Sequence, residues 1–131
     1  GEFHAVEINE ELEFLIKKYW AKHPKFSQMH LHIGPAAQIL NDLHKPWDLI
    51  FLDADKAGLL TYYEQLIPVM PSDSIMLIDN ILWSGKVTEP VAKNDKDTKA
   101  ILALNEHVAN DTRVEQVILS ARDGIMMVRK V

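Results

Sequence analysis

Hydrophobic and polar positions alternate along the chain in two periods, and the switches between them mark the elements. "FHAVEI" reads as a short strand, and Asn9 suits a helix cap with Glu10 and Glu11 in the first turn, where the helix dipole favours acids. Leu12, Leu15, Ile16 and Tyr19 then recur at helical spacing until Pro24. "MHLHI" predicts a second strand, and Ala36, Ile39, Leu40 and Leu43 a helix starting at Pro35. "WDLIFLD" is nearly continuous in apolar residues, the pattern of a strand covered on both faces. Leu59, Tyr63, Leu66 and Ile67 form the next helical stripe, ended by Pro68 and Pro71. "SIMLID" predicts a fourth, buried strand, and Ile101, Leu104 and Val108 a last helix. "VEQVILS" and "GIMMVRK" flank Arg122-Asp123-Gly124, and Asp-Gly is a hairpin signal. The alternation predicts an α/β fold whose sheet is mostly parallel with a C-terminal antiparallel hairpin.

Composition narrows the setting. The 131 residues suit one domain, or part of one, and 47% hydrophobic residues are ample for a core. A net charge of -5 gives no electrostatic reason to expect nucleic acid or an anionic membrane as partner. No run is apolar and long enough to span a bilayer, and the opening residues lack a signal-peptide layout, so a cytoplasmic protein is expected. Without cysteine, thiolate metal sites and thiol nucleophiles are excluded. The polar stretch "WSGKVTEPVAKNDKD" is the expected flexible segment.

The candidate chemistry lies at strand ends. In open α/β sheets, ligands bind beyond the carboxyl ends of the strands. Here three predicted strands finish on acids: Glu7, Asp53, and Asp79 followed by Asn80. A single such ending is commonly a turn or a cap; three on one edge point to a site. Asp53, Asp79 and Asn80 would supply an all-oxygen donor set, which suits Mg²⁺, Mn²⁺ or Ca²⁺ over zinc or copper. Glu7 stands where an acid can accept hydrogen bonds from ribose hydroxyls, or is simply a solvated acid ahead of a helix. Lys56 is ordinarily a surface lysine; beside a bound dication it could act as a base. His30 and His32 share a strand face, but no third ligand of suitable spacing accompanies them, so ordinary strand histidines are the better reading. No Gly-x-Gly-x-x-Gly loop and no serine nucleophile elbow occur.

"DLIFLDADKAG" also looks like the phosphoacceptor strand of a response-regulator receiver domain. That reading lacks an acidic pair after the first strand and a late Lys-Pro, and it leaves Asp79-Asn80 unexplained.

Taken in order, "FHAVEIN", "FLDADK", "LIDNILWSGKV" and "ARDGIMMVRK" closely resemble the metal-dependent, S-adenosylmethionine-dependent O-methyltransferases of the caffeoyl-CoA and catechol group. The resemblance implies a Rossmann-like class I methyltransferase fold over residues 1–131 as a single, partial domain. It implies O-methyl transfer from S-adenosylmethionine to a small aromatic, catechol-like hydroxyl. Asp53, Asp79 and Asn80 become the ligands of a divalent cation, Mg²⁺ or alternatively Mn²⁺ or Ca²⁺. Glu7 would bind the cofactor ribose, Ala36 the adenine, and Asp53, Asp55 and Tyr62 would complete the cofactor site. Lys56 matches a lysine with a base-like role, and Ser84 falls where plant members carry a substrate-contacting asparagine. The family's first strand and glycine-containing loop have no counterpart here. The expectation is therefore a C-terminal portion of low activity, with open strand edges that invite a homodimer. The second reading is a non-catalytic folded fragment that binds metal or associates with itself.

Overall fold

The computed structural model describes residues 1–131. Two compact units divide them, residues 1–44 and residues 45–131. In the first, β1 (Phe3–Glu7) pairs in parallel with β2 (Met29–Ile33), with His4 opposite His30 and Val6 opposite His32. Gly34 continues the ladder by donating its N–H to the Glu7 carbonyl at 2.9 Å, in a backbone conformation (φ 142°) that favours glycine. Asn9 caps as expected, its side chain accepting from the Glu11 N–H at 3.0 Å. The turn that it caps is a 3-10 turn, Glu10–Leu12, from which α1 (Glu13–Trp20) continues. Phe3 meets Trp20 edge-on, with ring centroids 5.4 Å apart, which places one face of the β1–β2 pair against α1. Pro35 caps α2 (Ala36–Asp42), where its missing N–H costs nothing.

Residues 45–131 form a four-stranded mixed sheet. β3 (Leu49–Leu52) and β4 (Ile75–Asp79) are parallel. β6 (Ile125–Lys130) runs antiparallel to β4, and β5 (Val114–Leu119) lies outside β6, in the order β3-β4-β6-β5. Two helices accompany them, α3 (Leu59–Leu66) and α4 (Lys96–Ala109). Register places Met76 opposite Val128 and Ile78 opposite Met126, so these four share a sheet face, and all four are buried. Leu59, Tyr63, Leu66 and Ile67 are buried as the helical spacing predicted, together with Ile101, Leu104 and Val108 of α4. Asp95 starts α4 by accepting from the Thr98 N–H at 3.0 Å and its hydroxyl at 2.8 Å. Those bonds hold the Asp95 carboxyl below its ordinary range.

Two expectations need correction. The continuous apolar run of β3 is not covered on both faces: Leu52 is buried, while Leu49 and Phe51 are 64% and 59% exposed. Successive strand residues alternate between faces, and only the face bearing Leu52, Ile78 and Met126 is covered. The stretch expected to be flexible carries short 3-10 turns between Trp83 and Thr88, broken by a kink at Ser84 and Gly85. The expected hairpin is present, β5 antiparallel to β6, and its connection closes through the Gly124 N–H to the Ala121 carbonyl at 2.9 Å.

Candidate active site at the ends of two parallel strands

β3 and β4 are parallel and Leu52 lies opposite Ile78, so Asp53 and Asp79 leave the sheet at the same end. Past Asp79 the backbone turns left-handed at Asn80 (φ 63°), a conformation that asparagine tolerates better than most residues. The Asn80 N–H donates to Asp79 Oδ1 at 2.7 Å. Lys56 Nζ donates to Asn80 Oδ1 at 2.8 Å and stands 3.6 Å from Asp53 Oδ1. Its side chain is only 10% exposed, and Nζ lies 5.6 Å from the centre of the Trp83 ring.

Lys56 is placed by a 3-10 turn, Lys56–Gly58, that Asp55 caps. Asp55 Oδ2 accepts the Gly58 N–H at 2.8 Å, and Oδ1 accepts the Tyr62 hydroxyl at 2.6 Å. Burial pushes the Tyr62 phenol up to about 12, with the hydrogen bond to the Asp55 carboxylate acting in the same direction. Gly58 is required by contact: a Cβ there would lie 2.4 Å from the Tyr62 ring. Asp53, Lys56 and Asn80 are thus brought together through Lys56, with Asp79 on the Asn80 amide. Asp55, on the same loop, forms a second pair with Tyr62 of α3.

The segment after Asn80 is tied to the β5–β6 connection. The Ile81 N–H donates to the Gly124 carbonyl at 3.2 Å and the Leu82 N–H to the Asp123 carbonyl at 2.9 Å. The Asp123 carboxylate accepts from the Ser84 N–H. Trp83 and Ser84 both adopt positive φ (47° and 53°), so this anchor constrains a backbone that side-chain-bearing residues rarely adopt. Asn105 Nδ2 supports it from α4, donating to the Ile81 carbonyl at 3.0 Å. Sequence reasoning missed the roles of Asp123 and Asn105. For Asp123 a signal existed, an acid beside glycine in the last connection; for Asn105, inside a helical run, there was none.

Glu7 and Ala36 belong to residues 1–44. Glu7 ends β1 and its Oε1 accepts the Asn9 N–H at 2.8 Å; Ala36 is the first residue of α2. Both stand at the carboxyl ends of β1 and β2, where the strand-end argument expects ligand contacts.

The donor set fits a hard dication. A carboxylate and an amide oxygen already converge on one positive charge, the Lys56 ammonium, and every donor is oxygen. The receiver-domain reading fails on topology, because β5 and β6 are antiparallel where a receiver sheet is parallel.

Comparison with known proteins adds an independent line. The profile of a family described as O-methyltransferase matches residues 1–131. A Dictyostelium discoideum protein named "Probable caffeoyl-CoA O-methyltransferase 2" is 34% identical over 136 residues, covering 100% of this chain and 59% of that protein. Caffeoyl-CoA O-methyltransferase of Medicago sativa is 31% identical over 148 residues, covering 100% of this chain and 58% of its own length. The chain therefore spans a little under three fifths of these relatives. Among solved structures, an O-methyltransferase from Bacillus cereus in complex with SAH superposes with a TM-score of 0.93 at 22% identity. That superposition covers 100% of this chain and 63% of the other, and it shows the same α/β fold.

Proposed function

Because this chain belongs to the O-methyltransferase family, we propose that the whole protein transfers a methyl group from S-adenosylmethionine to a hydroxyl of a small aromatic, catechol-like acceptor. The observation that carries this reading is the convergence of Asp53 Oδ1 and Asn80 Oδ1 on one cation at the shared end of β3 and β4. Relatives named for caffeoyl-CoA methylation, and a fold neighbour described with SAH bound, support the acceptor class and the methyl donor.

Asp53, Asp79 and Asn80 would hold a divalent cation, Mg²⁺ ahead of Mn²⁺ or Ca²⁺. Such an ion, when bound, supplies Lewis acidity that favours the ionised acceptor hydroxyl. Lys56 Nζ, as the neutral amine, would take the hydroxyl proton, and a nearly buried stem keeps it among the acceptor-binding groups. Asp55 and Tyr62 form a rigid hydrogen-bonded edge for the methionine part of the methyl donor. The Tyr62 phenol is neutral, so that edge presents a single carboxylate charge, that of Asp55, to the donor's ammonium. Glu7 would accept from the ribose hydroxyls and Ala36 would lie by the adenine. Ser84, fixed by Asp123, faces the choice of acceptor. What this chain supplies is chiefly positioning.

The test is the Asp79→Ala variant of the whole protein, assayed for metal-dependent methyl transfer and for Mn²⁺ binding. Turnover should fall by roughly a hundredfold or more, together with Mn²⁺ affinity, the scale of losing a Lewis-acid site. Normal metal-dependent turnover would sink the proposal.

A further inference from the structure

The three histidines of β1 and β2 form a cluster that methyl transfer does not use. The parallel register sets His4 beside His30, and period two places His32 on the same face. The rings stack: His4 and His30 centroids are 4.5 Å apart with planes 28° apart, and His4 and His32 are 5.2 Å apart at 9°. His4 Nδ1 lies 3.0 Å from His32 Nε2, and His4 Nε2 lies 3.4 Å from Glu2 Oε2. One ligand atom each from Glu2, His4 and His30 falls within 4.8 Å of the others.

We infer that Glu2, His4 and His30 form a site for a divalent ion of borderline softness, with Zn²⁺ the type ligand and His32 the positioning residue behind His4. Two ring nitrogens 3.0 Å apart share one proton. If His4 Nδ1 carries it and donates to His32, His4 Nε2 presents a lone pair towards Glu2. That is the arrangement in which a ligating histidine donates its other ring N–H to a fixed acceptor. Two imidazoles and a carboxylate favour zinc-like ions over Mg²⁺ or Ca²⁺ and leave one position for water. Tetrahedral ligands at ordinary zinc distances stand about 3.3 Å from one another, which His4 and Glu2 already approach at 3.4 Å, so the gaps to His30 must close by at most about 1.5 Å. The Glu2 side chain is 56% exposed and that of His4 only 7%, so the adjustment falls on Glu2 and His30 rather than on His4.

A second acid–histidine group, Glu64, His107 and Asp111, has similar spacing. There the Arg113 guanidinium already bridges Glu64 and Asp111 at 2.7 Å each, so the cluster is complete without an ion.

The inference does not depend on the methyl-transfer reading. It is tested by calorimetric titration of this chain with Zn²⁺ in saturating Mg²⁺, alongside His30→Ala, Glu2→Gln and Asp79→Ala. One ion per chain is expected, with affinity lowered at least about tenfold by His30→Ala and less by Glu2→Gln. Asp79→Ala should bind zinc as the parent does, which separates this site from the proposed oxygen-ligand site. Ring resonances of His4, His30 and His32 should shift together on zinc addition, a readout that requires no substitution. Absence of zinc binding by the folded chain, affinity unchanged in His30→Ala, or ring resonances that do not move would each overturn the inference.

Discussion

In α3 the apolar stripe disappears from solvent: Leu59 and Tyr63 are fully buried, and Leu66 is nearly so. In α1 the same helical spacing leaves Leu15 48% and Tyr19 58% exposed, with Phe14 at 75%. Both helices are eight residues long, so length does not explain the difference. Residues 45–131 contain a covered sheet face onto which α3 and α4 can bury their stripes. No residue of 1–44 is buried to that degree. Amphipathic periodicity therefore declares which face of a helix seeks cover, and whether cover exists is settled by the surroundings. The site follows the same division. Asp53, Lys56, Asp79 and Asn80 rest on the unit with its own core, which is where precise positioning is cheapest to maintain.

The sharpest way to break this comparison is to truncate one residue of each stripe. Leu59→Ala, at a position of α3 with no accessible surface, should cost roughly 2–5 kcal/mol in equilibrium denaturation. Leu15→Ala should cost less than about 1 kcal/mol, because little apolar area leaves water there. Equal losses would mean that α1 is as well packed in solution as α3.

Gly124 probes how the core unit holds its site. An added Cβ would lie 2.4 Å from Leu82 Cγ, on a backbone with φ 81°. Gly124→Ala should therefore cost roughly 2–3 kcal/mol, from overpacking together with a left-handed conformation. It should also disturb the Ile81–Ser84 segment hydrogen-bonded to the same connection, visible as shifted Trp83 and Ser84 amide resonances. A neutral Gly124→Ala would show that this connection moves independently of the site.

Much of this division could be read from residue patterns, and the reasons for the rest are physical. The stripe Leu59–Ile67 and the strands "MHLHI" and "SIMLID" stand where periodicity placed them, because each carries a full local signal. The run "LIFL" misled, since an apolar run looks the same whether one face or both are covered. The kink within Trp83–Thr88 turns left-handed at Trp83 and Ser84, with Ser84 held by Asp123 some 39 positions away. No local rule assigns that conformation to tryptophan or serine. His4 escaped notice because only strand register brings it beside His30. At the site, the residue types and strand-end positions of Asp53, Asp79 and Asn80 were legible. The ammonium of Lys56 seated on Asn80 was not.

A polar network also distinguishes the core unit. Arg113 binds Asp111 through two nitrogens, at 2.9 and 2.7 Å, and reaches Glu64 at 2.7 Å. Tyr63 donates to Asp111 at 2.8 Å, and burial pushes its phenol far up. The Arg113 hydrogen bonds hold both the Asp111 and Glu64 carboxyls below their ordinary range. A depressed carboxylate contributes stability that is present above its unfolded pKa, about 4, and is lost as pH falls through the lower folded value. The folded chain should thus lose stability progressively below about pH 4. Arg113→Met should flatten that acid slope and lower the neutral-pH plateau by roughly 1–2 kcal/mol, discounted for the partial exposure of Glu64 and Arg113. An unchanged slope in the variant would remove the network from the account of acid stability.

The smallest expected effect is the most searching test of residues 1–44. Phe14 is 75% exposed in the middle of α1, so Phe14→Ser gives up little buried area and only a modest helix preference. The stability of this chain should move by less than about 0.5 kcal/mol, the usual range for a surface substitution. The same change can be made in the whole protein, of which relatives carry a substantially longer chain. A loss above about 2 kcal/mol there, with none here, would mean that further chain covers the Phe14 side of α1. The contrast between the two helices would then reflect how much of the protein is present. Small losses in both would make the exposure of Phe14 a property of the fold itself.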